Sequence, residues 1–256
     1  MRKYKIIIVL VIVVFVSGPS CKKNKEVRGT SSLTIVNAVV GSNTFVTNFS
    51  DSYQMQNYYA NARQINYGSY DNNNQFSSYS GTTSLKLYQM PDTAEHSAPF
   101  YNLKLDLPIG TMCTLYLTGT LSIHDTLITK DYPPYYPPSD SSVGVRFINL
   151  SPDSSLINVT LSTSASVNEF SNISYKQTTD YKSYPAIKAV SSYTFQFRNA
   201  ATNSVITSFT MSGINNGTGT NNSTNKFRFR NFTLALIGQA GGIGGSAQKI
   251  LLINNY

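Results

Sequence analysis

Tryptophan is absent from the chain, cysteine and histidine occur twice each, and charged side chains make up only 12% of it. Each shortage closes off a class of chemistry. A structural zinc site needs four clustered Cys or His ligands, and Cys21, Cys113, His96 and His124 have no such spacing. Glu95-His96 falls in a Pro-flanked loop and His124-Asp125 in a turn after Gly119, so a zinc or catalytic pair would require those two loops to meet. No Gly-x-Ser-x-Gly is present for a nucleophile elbow. Asp180 is the last acidic residue, which leaves the final 76 positions without a carboxylate. A pair for glycoside hydrolysis, such as Glu95 with Asp106, would need tertiary coincidence. Asp71-Asn-Asn-Asn74 lacks the alternating acidic ligands of calcium loops and reads as an Asn-rich turn. The glycine-rich run 238–245 lies between two strands and not ahead of a helix, so it lacks the aligned amides that cradle phosphate. The expectation is a protein that is not an enzyme and carries no cofactor and no metal.

Long hydrophobic runs are also scarce, with one exception. Residues 6–16 are an unbroken apolar stretch of eleven, preceded by Arg2, Lys3 and Lys5. As a helix this run is about 16 Å long, half of a ~30 Å hydrocarbon core, so it has the proportions of a signal peptide and not of a membrane span. Ser17-Gly18-Pro19-Ser20-Cys21 follows and resembles a lipobox, in which the cysteine is acylated (palmitate-type chains) and the chain is cut before it. Gly18 stands where a leucine is usual. The alternative is an ordinary cleaved signal with an incidental cysteine. One acyl chain binds a membrane only marginally, and the resemblance implies two or three. No Asp follows Cys21, which by the same resemblance implies the outer membrane, periplasmic or surface-facing. Residues 1–20 thus read as a signal peptide and 21–29, with Lys22, Lys23, Lys25 and Arg28, as a lipidated tether. Cys113 then has no partner for a disulfide and reads as a small buried hydrophobe.

The net charge of +8 is unevenly spread: +3 over residues 1–20, +3 over 21–28, −4 over 29–140 and +6 over 141–256. A basic balance can signal nucleic acid or anionic lipid. An exported, anchored chain argues for the membrane as partner and against nucleic acid. Lys226, Arg228 and Arg230 alternate with Phe227 and Phe229 and are expected on the solvent face of a half-buried strand, with an anionic contact patch as the alternative.

Sustained helical periodicity is missing after residue 29. Short alternating runs bounded by Asn, Gly, Pro, Asp and Ser recur instead, as in all-β sandwiches. Strands are predicted at 82–88, 101–107, 114–120, 143–149, 193–198, 205–211 and 249–254. The chain also repeats itself. Ile35-Val36-Asn37 answers Phe147-Ile148-Asn149, and Ile65-Asn66-Tyr67 answers Ile173-Ser174-Tyr175. Leu85 and Leu87 answer Phe195 and Phe197, and residues 114–119 answer 233–238. The offsets of 112, 108, 110 and 119 indicate tandem duplication. Four prolines within 131–140 mark a semi-rigid linker. The predicted architecture is two tandem immunoglobulin-like β-sandwich domains at 30–130 and 141–256, behind the signal peptide and tether.

Val145-Arg-Phe-Ile-Asn-Leu-Ser-Pro-Asp153, the run 157–161 and Phe232-Thr-Leu-Ala-Leu-Ile-Gly238 resemble the repeats of domain-of-unknown-function family 4397. In that family a strand ending in Asn precedes a Ser-Pro-Asp-type turn, and a late strand ends in Gly. The resemblance implies secreted or lipid-anchored tandem sandwiches and no established activity. Over 30–130, Val39-Val40-Gly41 replaces Ser-Pro-Asp, with a turn expected through Gly41, Ser42 and Asn43.

What abounds is tyrosine, with Tyr53, Tyr58, Tyr59, Tyr67, Tyr70 and Tyr79 close together among Asn, Gln and Ser. Such loops on a sandwich suit recognition, because Tyr offers rigid area with a polar tip. Tyr58, Tyr59 and Tyr70 are the candidate ligand contacts, and a glycan is the alternative partner to a protein. Carbohydrate platforms often use the tryptophan this chain lacks. Asp92-Thr93-Ala94 and Asp125-Thr126-Leu127 resemble an O-glycosylation sequon. The functional expectation is a non-enzymatic cell-envelope lipoprotein serving as a binding, adhesion or structural module.

Overall fold

The computed structural model describes residues 29–49, 63–92, 97–217 and 223–255. The first unit contains β1 (Thr30–Asn37), β2 (Thr44–Asn48), β3 (Gln64–Asn66), β4 (Gln75–Tyr79), β5 (Gly81–Gln89), β6 (Tyr101–Leu107), β7 (Met112–Gly119) and β8 (His124–Asp131). They form two sheets, ordered β4-β1-β7-β8 and β3-β2-β5-β6. The second unit contains β9 (Ser142–Asn149), β10 (Ile157–Leu161), β11 (Asn168–Ile173), β12 (Lys182–Pro185), β13 (Ser192–Asn199), β14 (Val205–Ser212), β15 (Asn231–Ile237) and β16 (Lys249–Asn254). Its sheets are ordered β12-β9-β15-β16 and β11-β10-β13-β14. Adding eight to each strand of the first unit gives the second. The protein is all-β, two sandwiches of immunoglobulin-like build in tandem.

All four sequence matches fall on equivalent strands. Ile35 pairs with Leu115 in the parallel β1–β7 ladder, and Phe147 pairs with Leu234 in the parallel β9–β15 ladder. Period-2 alternation then sends Leu33, Ile35, Leu115 and Leu117 inward against Phe45, Leu85 and Leu87. The second core repeats this with Val145, Phe147, Leu234 and Leu236 against Ile157, Phe195 and Phe197.

The opposite faces of those strands are buried as well. Every residue of β9 and β15 is buried. Val36, Ala38 and Tyr116 form one cluster with Ile148, Leu150, Ala235, Ile237, Leu251 and Ile253. The two units therefore stack back to back through the sheets that hold β1 and β9, giving four layers with three apolar interfaces. Val36 is equivalent to Ile148, Ala38 to Leu150, and Tyr116 to Ala235, so the same patch of each unit meets the other. This is the self-complementary pattern of a two-fold contact, here within one chain.

The strands of the two units run the same way. At one end of the seam Thr118 Oγ1 donates to Leu150 O over 3.0 Å, and Lys176 meets Asp125 at 2.5 Å. Nearer the other end Arg146 reaches Asp131 at 2.6 Å. The second end is also where Gly29 leads into β1, and it is called proximal below. Residues 132–141 link the units without holding them apart. Asn231 donates to Pro134 O, Tyr136 is buried, and its hydroxyl bonds Ser183 at 2.9 Å.

One expected strand is not a strand. Residues 226–230 form a turn, because the Asn225 carboxamide accepts from both Phe227 N and Arg228 N at 2.9 Å. Phe229 then adopts φ +59°, and β15 begins only at Asn231. The alternation of Lys226, Arg228 and Arg230 with two phenylalanines reflects a looped crossing over the end of the core. Only Phe227 enters that core.

Candidate functional site

Cys21, Tyr53, Tyr58, Tyr59, Glu95 and His96 lie outside the described residues. Tyr70 lies in the seam between the units. Its hydroxyl donates to Asn254 O and accepts from Gln75 Nε2, both at 2.8 Å. Tyr67 is half-buried beside it, with the Lys249 ammonium 5.1 Å from its ring centre. Burial raises the Tyr67 phenol above its ordinary value. Tyr67 and Tyr70 are thus placed by contact with the second unit.

His124 packs on the rings of Phe100 and Tyr101, with centroids 4.5 and 5.0 Å away. Asp125 points to Lys176, and that hydrogen bond holds its carboxyl below the usual range. Thr126 follows in β8 and its backbone N–H donates to the Asp125 carboxylate. Asp71 caps a single turn of three asparagines, accepting from Asn73 N, while Asn74 reaches back to Ile35 O. Its carboxylate serves the backbone there. Cys113 is buried in the first core. Among the described residues no three of His, Cys, Asp and Glu gather as a metal site, and no helix is long and apolar enough to cross a membrane.

The most elaborate polar constellation is buried in the seam. Asp131 accepts from Arg146 Nη2 at 2.6 Å, Thr129 at 2.9 Å and Thr114 at 2.5 Å. Arg146 Nε donates to Thr233 at 2.7 Å, and its guanidinium lies 4.9 Å from the Tyr181 ring centre. Burial raises the Tyr116 and Tyr181 phenols beside it, while the Arg146 charge opposes that shift. Arg146 and Asp131 are both buried, and the arrangement ties one unit to the other across the seam.

The largest exposures of aliphatic side chains are at the two ends, with Ile109, Ile123 and Ile243 each more than 70% exposed. At the distal end the β7–β8 and β15–β16 turns are equivalent, and each exposes one isoleucine. Ile123 is 80% and Ile243 85% exposed. The same end holds the paired turns 39–42 and 151–154, closed by Ser42 N to Val39 O and by Ser154 N to Ser151 O. Gly41 and Asp153 take the positive φ in each, at 85° and 61°. Sequence reasoning did not single out these tips or the seam. The signal for the seam was the near-continuous apolar run 33–40 and its counterpart 143–150, too apolar for strands with one wet face.

No family model and no curated protein matches the chain. Among solved structures, a candidate adhesin from Bacteroides ovatus aligns over 88% of this chain and 95% of its own, at 10% identity and a TM-score of 0.22. A likeness that slight bears on neither fold nor function.

Proposed function

We propose that the chain is a non-enzymatic envelope lipoprotein of the family 4397 type, anchored through acylated Cys21, whose two sandwiches form one stiff contact module. The observation that carries this reading is the polarity of the body. Gly29 leads in at one end, and the equivalent turns with Ile123 and Ile243 project from the other. The buried seam joins the units side by side, so both turns stand next to each other, one strand length away from the anchored end. Exposed aliphatic tips on rigid turns suit a protein or polymer surface better than a small substrate, for which pockets are concave and enclosed.

Intact mass of the protein recovered from membranes tests the anchor. The expected species begins at Cys21 with acyl mass, and Cys21→Ala moves the protein to the soluble fraction; an unmodified chain starting elsewhere contradicts it. Photo-crosslinkers at positions 123 and 243 test the contact end. They are expected to capture an envelope component that crosslinkers on the β14 face, at position 208, do not.

A further inference from the structure

The proximal end has a composition unlike the rest of the surface. In the first unit the turn before β7 exposes Ile109 beside Gly29, and Tyr132 follows β8 at the same end. The linker adds Tyr135, which is 83% exposed. In the second unit the turns after β12 and before β15 expose Ile187 and Phe229. Lys130, Lys188, Lys226 and Arg230 are exposed around them, and Arg228 is half-buried. Among the described residues the carboxylates toward this end are Asp106 in β6, Asp131, Asp140 and Glu169; Asp131 is buried against Arg146, Asp140 accepts from Ser142, and Glu169 is bound by Lys182 and Tyr184. The register puts these segments together, since Phe229 N donates to Ser142 O and Ala186 N to Ser141 O at the start of β9.

We infer that this proximal end is a membrane-docking face that lies on an anionic lipid surface. Three features converge on that occupant. Tyr, Ile and Phe side chains with cationic neighbours have the amphipathic make-up of the lipid interface, where aromatic rings and basic groups sit at headgroup level. The basic excess complements anionic headgroups within a Debye length of about 8 Å. The chain leaves the fold at this same end, and the eight residues from Cys21 to Arg28 span at most about 29 Å. Given the lipid-anchor reading on which this inference rests, that reach keeps the proximal end near the membrane whatever its orientation. The charged and aromatic face then decides between a body that swings on its tether and one that sits down. A docked body holds Ile123 and Ile243 outward.

The full chain reconstituted into vesicles tests this, with an environment-sensitive fluorophore on Ile187→Cys, far from the tether, or on Ile243→Cys at the distal end. In vesicles containing phosphatidylglycerol, emission from position 187 is expected to brighten and shift to the blue relative to pure phosphatidylcholine. Position 243 is expected to stay aqueous in both. Lys226→Glu with Arg230→Glu should remove the change at 187, as should 1 M salt, which shortens the Debye length to about 3 Å. Each reversed charge forfeits about 1 kcal/mol of attraction, roughly fivefold in partitioning. Equal emission from position 187 in both vesicle types, or brightening at 243 instead, overturns the proposal. Intact mass at Cys21 reports on the anchor separately. If Cys21 is free, the anchor reading fails, and the same two labels on a Cys21→Ala background still decide the surface.

Discussion

Single residues show how duplication is preserved beneath divergent sequence. Asn37 and Asn149 end equivalent strands, and both are fully buried. Asn37 Oδ1 accepts from Val39 N and Asn149 Oδ1 from Ser151 N, each at 3.1 Å. Their amide groups donate to Ile65 O and Ile173 O. Either residue changed to Ala leaves a buried N–H and a buried carbonyl unpaired, at about 1–3 kcal/mol. The two variants are expected to lose similar amounts, read as a lower denaturation midpoint with unchanged slope. Arg146 is the sharper case. Arg146→Ala strands the Asp131 charge in the seam and should cost about 3–5 kcal/mol, whereas Arg146→Met together with Asp131→Leu should be close to neutral. A double variant as unstable as the single would mean that the pair itself, and not the stranded charge, sets the loss.

Elements were legible wherever one face is wet. The runs predicted at 101–107 and 249–254 coincide with β6 and β16, and the alternation of Tyr193, Phe195 and Phe197 was read on the correct faces. The turn at 226–230 differs from the expected strand because Asn225 imposes a local bend that period-2 patterning cannot register. The back-to-back seam leaves no alternation signal because alternation needs a solvent face, and β9 and β15 have none. The candidate site was not legible for the same reason, since Tyr70 belongs to the seam and the isoleucine turns carry no motif. The strand-ending glycines were legible, and their reason is steric. Gly119 and Gly238 have φ of +87° and +90°, and a Cβ at either would lie 2.2 or 2.3 Å from Ile123 O or Ala247 O. Alanine at either site should destabilise by more than the roughly 1–2 kcal/mol of left-handed backbone alone. Both glycine variants retaining the native melting temperature would contradict that geometry.

At the scale of the whole molecule, burial of tyrosine outweighs surface charge. Burial raises the phenols of Tyr67, Tyr101, Tyr116, Tyr136, Tyr175, Tyr181, Tyr184 and Tyr193. Stability from raised groups is complete below the unfolded phenol value of about 10 and lost as pH climbs through the folded values. These phenols are expected to ionise together with loss of the β circular dichroism signal. Gradual ionisation with the fold intact would contradict this. On the acid side, Asp125 is depressed by Lys176, so its contribution is present above about pH 4 and lost as pH falls through the folded value. That pair is half exposed and contributes at most about 1 kcal/mol. The protein should therefore resist acid better than alkali.

The contacts of the seam make the two sandwiches one body. Spin labels on Ile123→Cys and Ile243→Cys, in a Cys21→Ala background, place one probe on the distal turn of each unit, and dipolar spectroscopy reads the distance between them. A seam closed by Ile148, Leu150 and the Arg146–Asp131 pair predicts one narrow distance, unchanged between low and high salt. A broad distribution, as two units swinging on residues 132–141 would give, would contradict it.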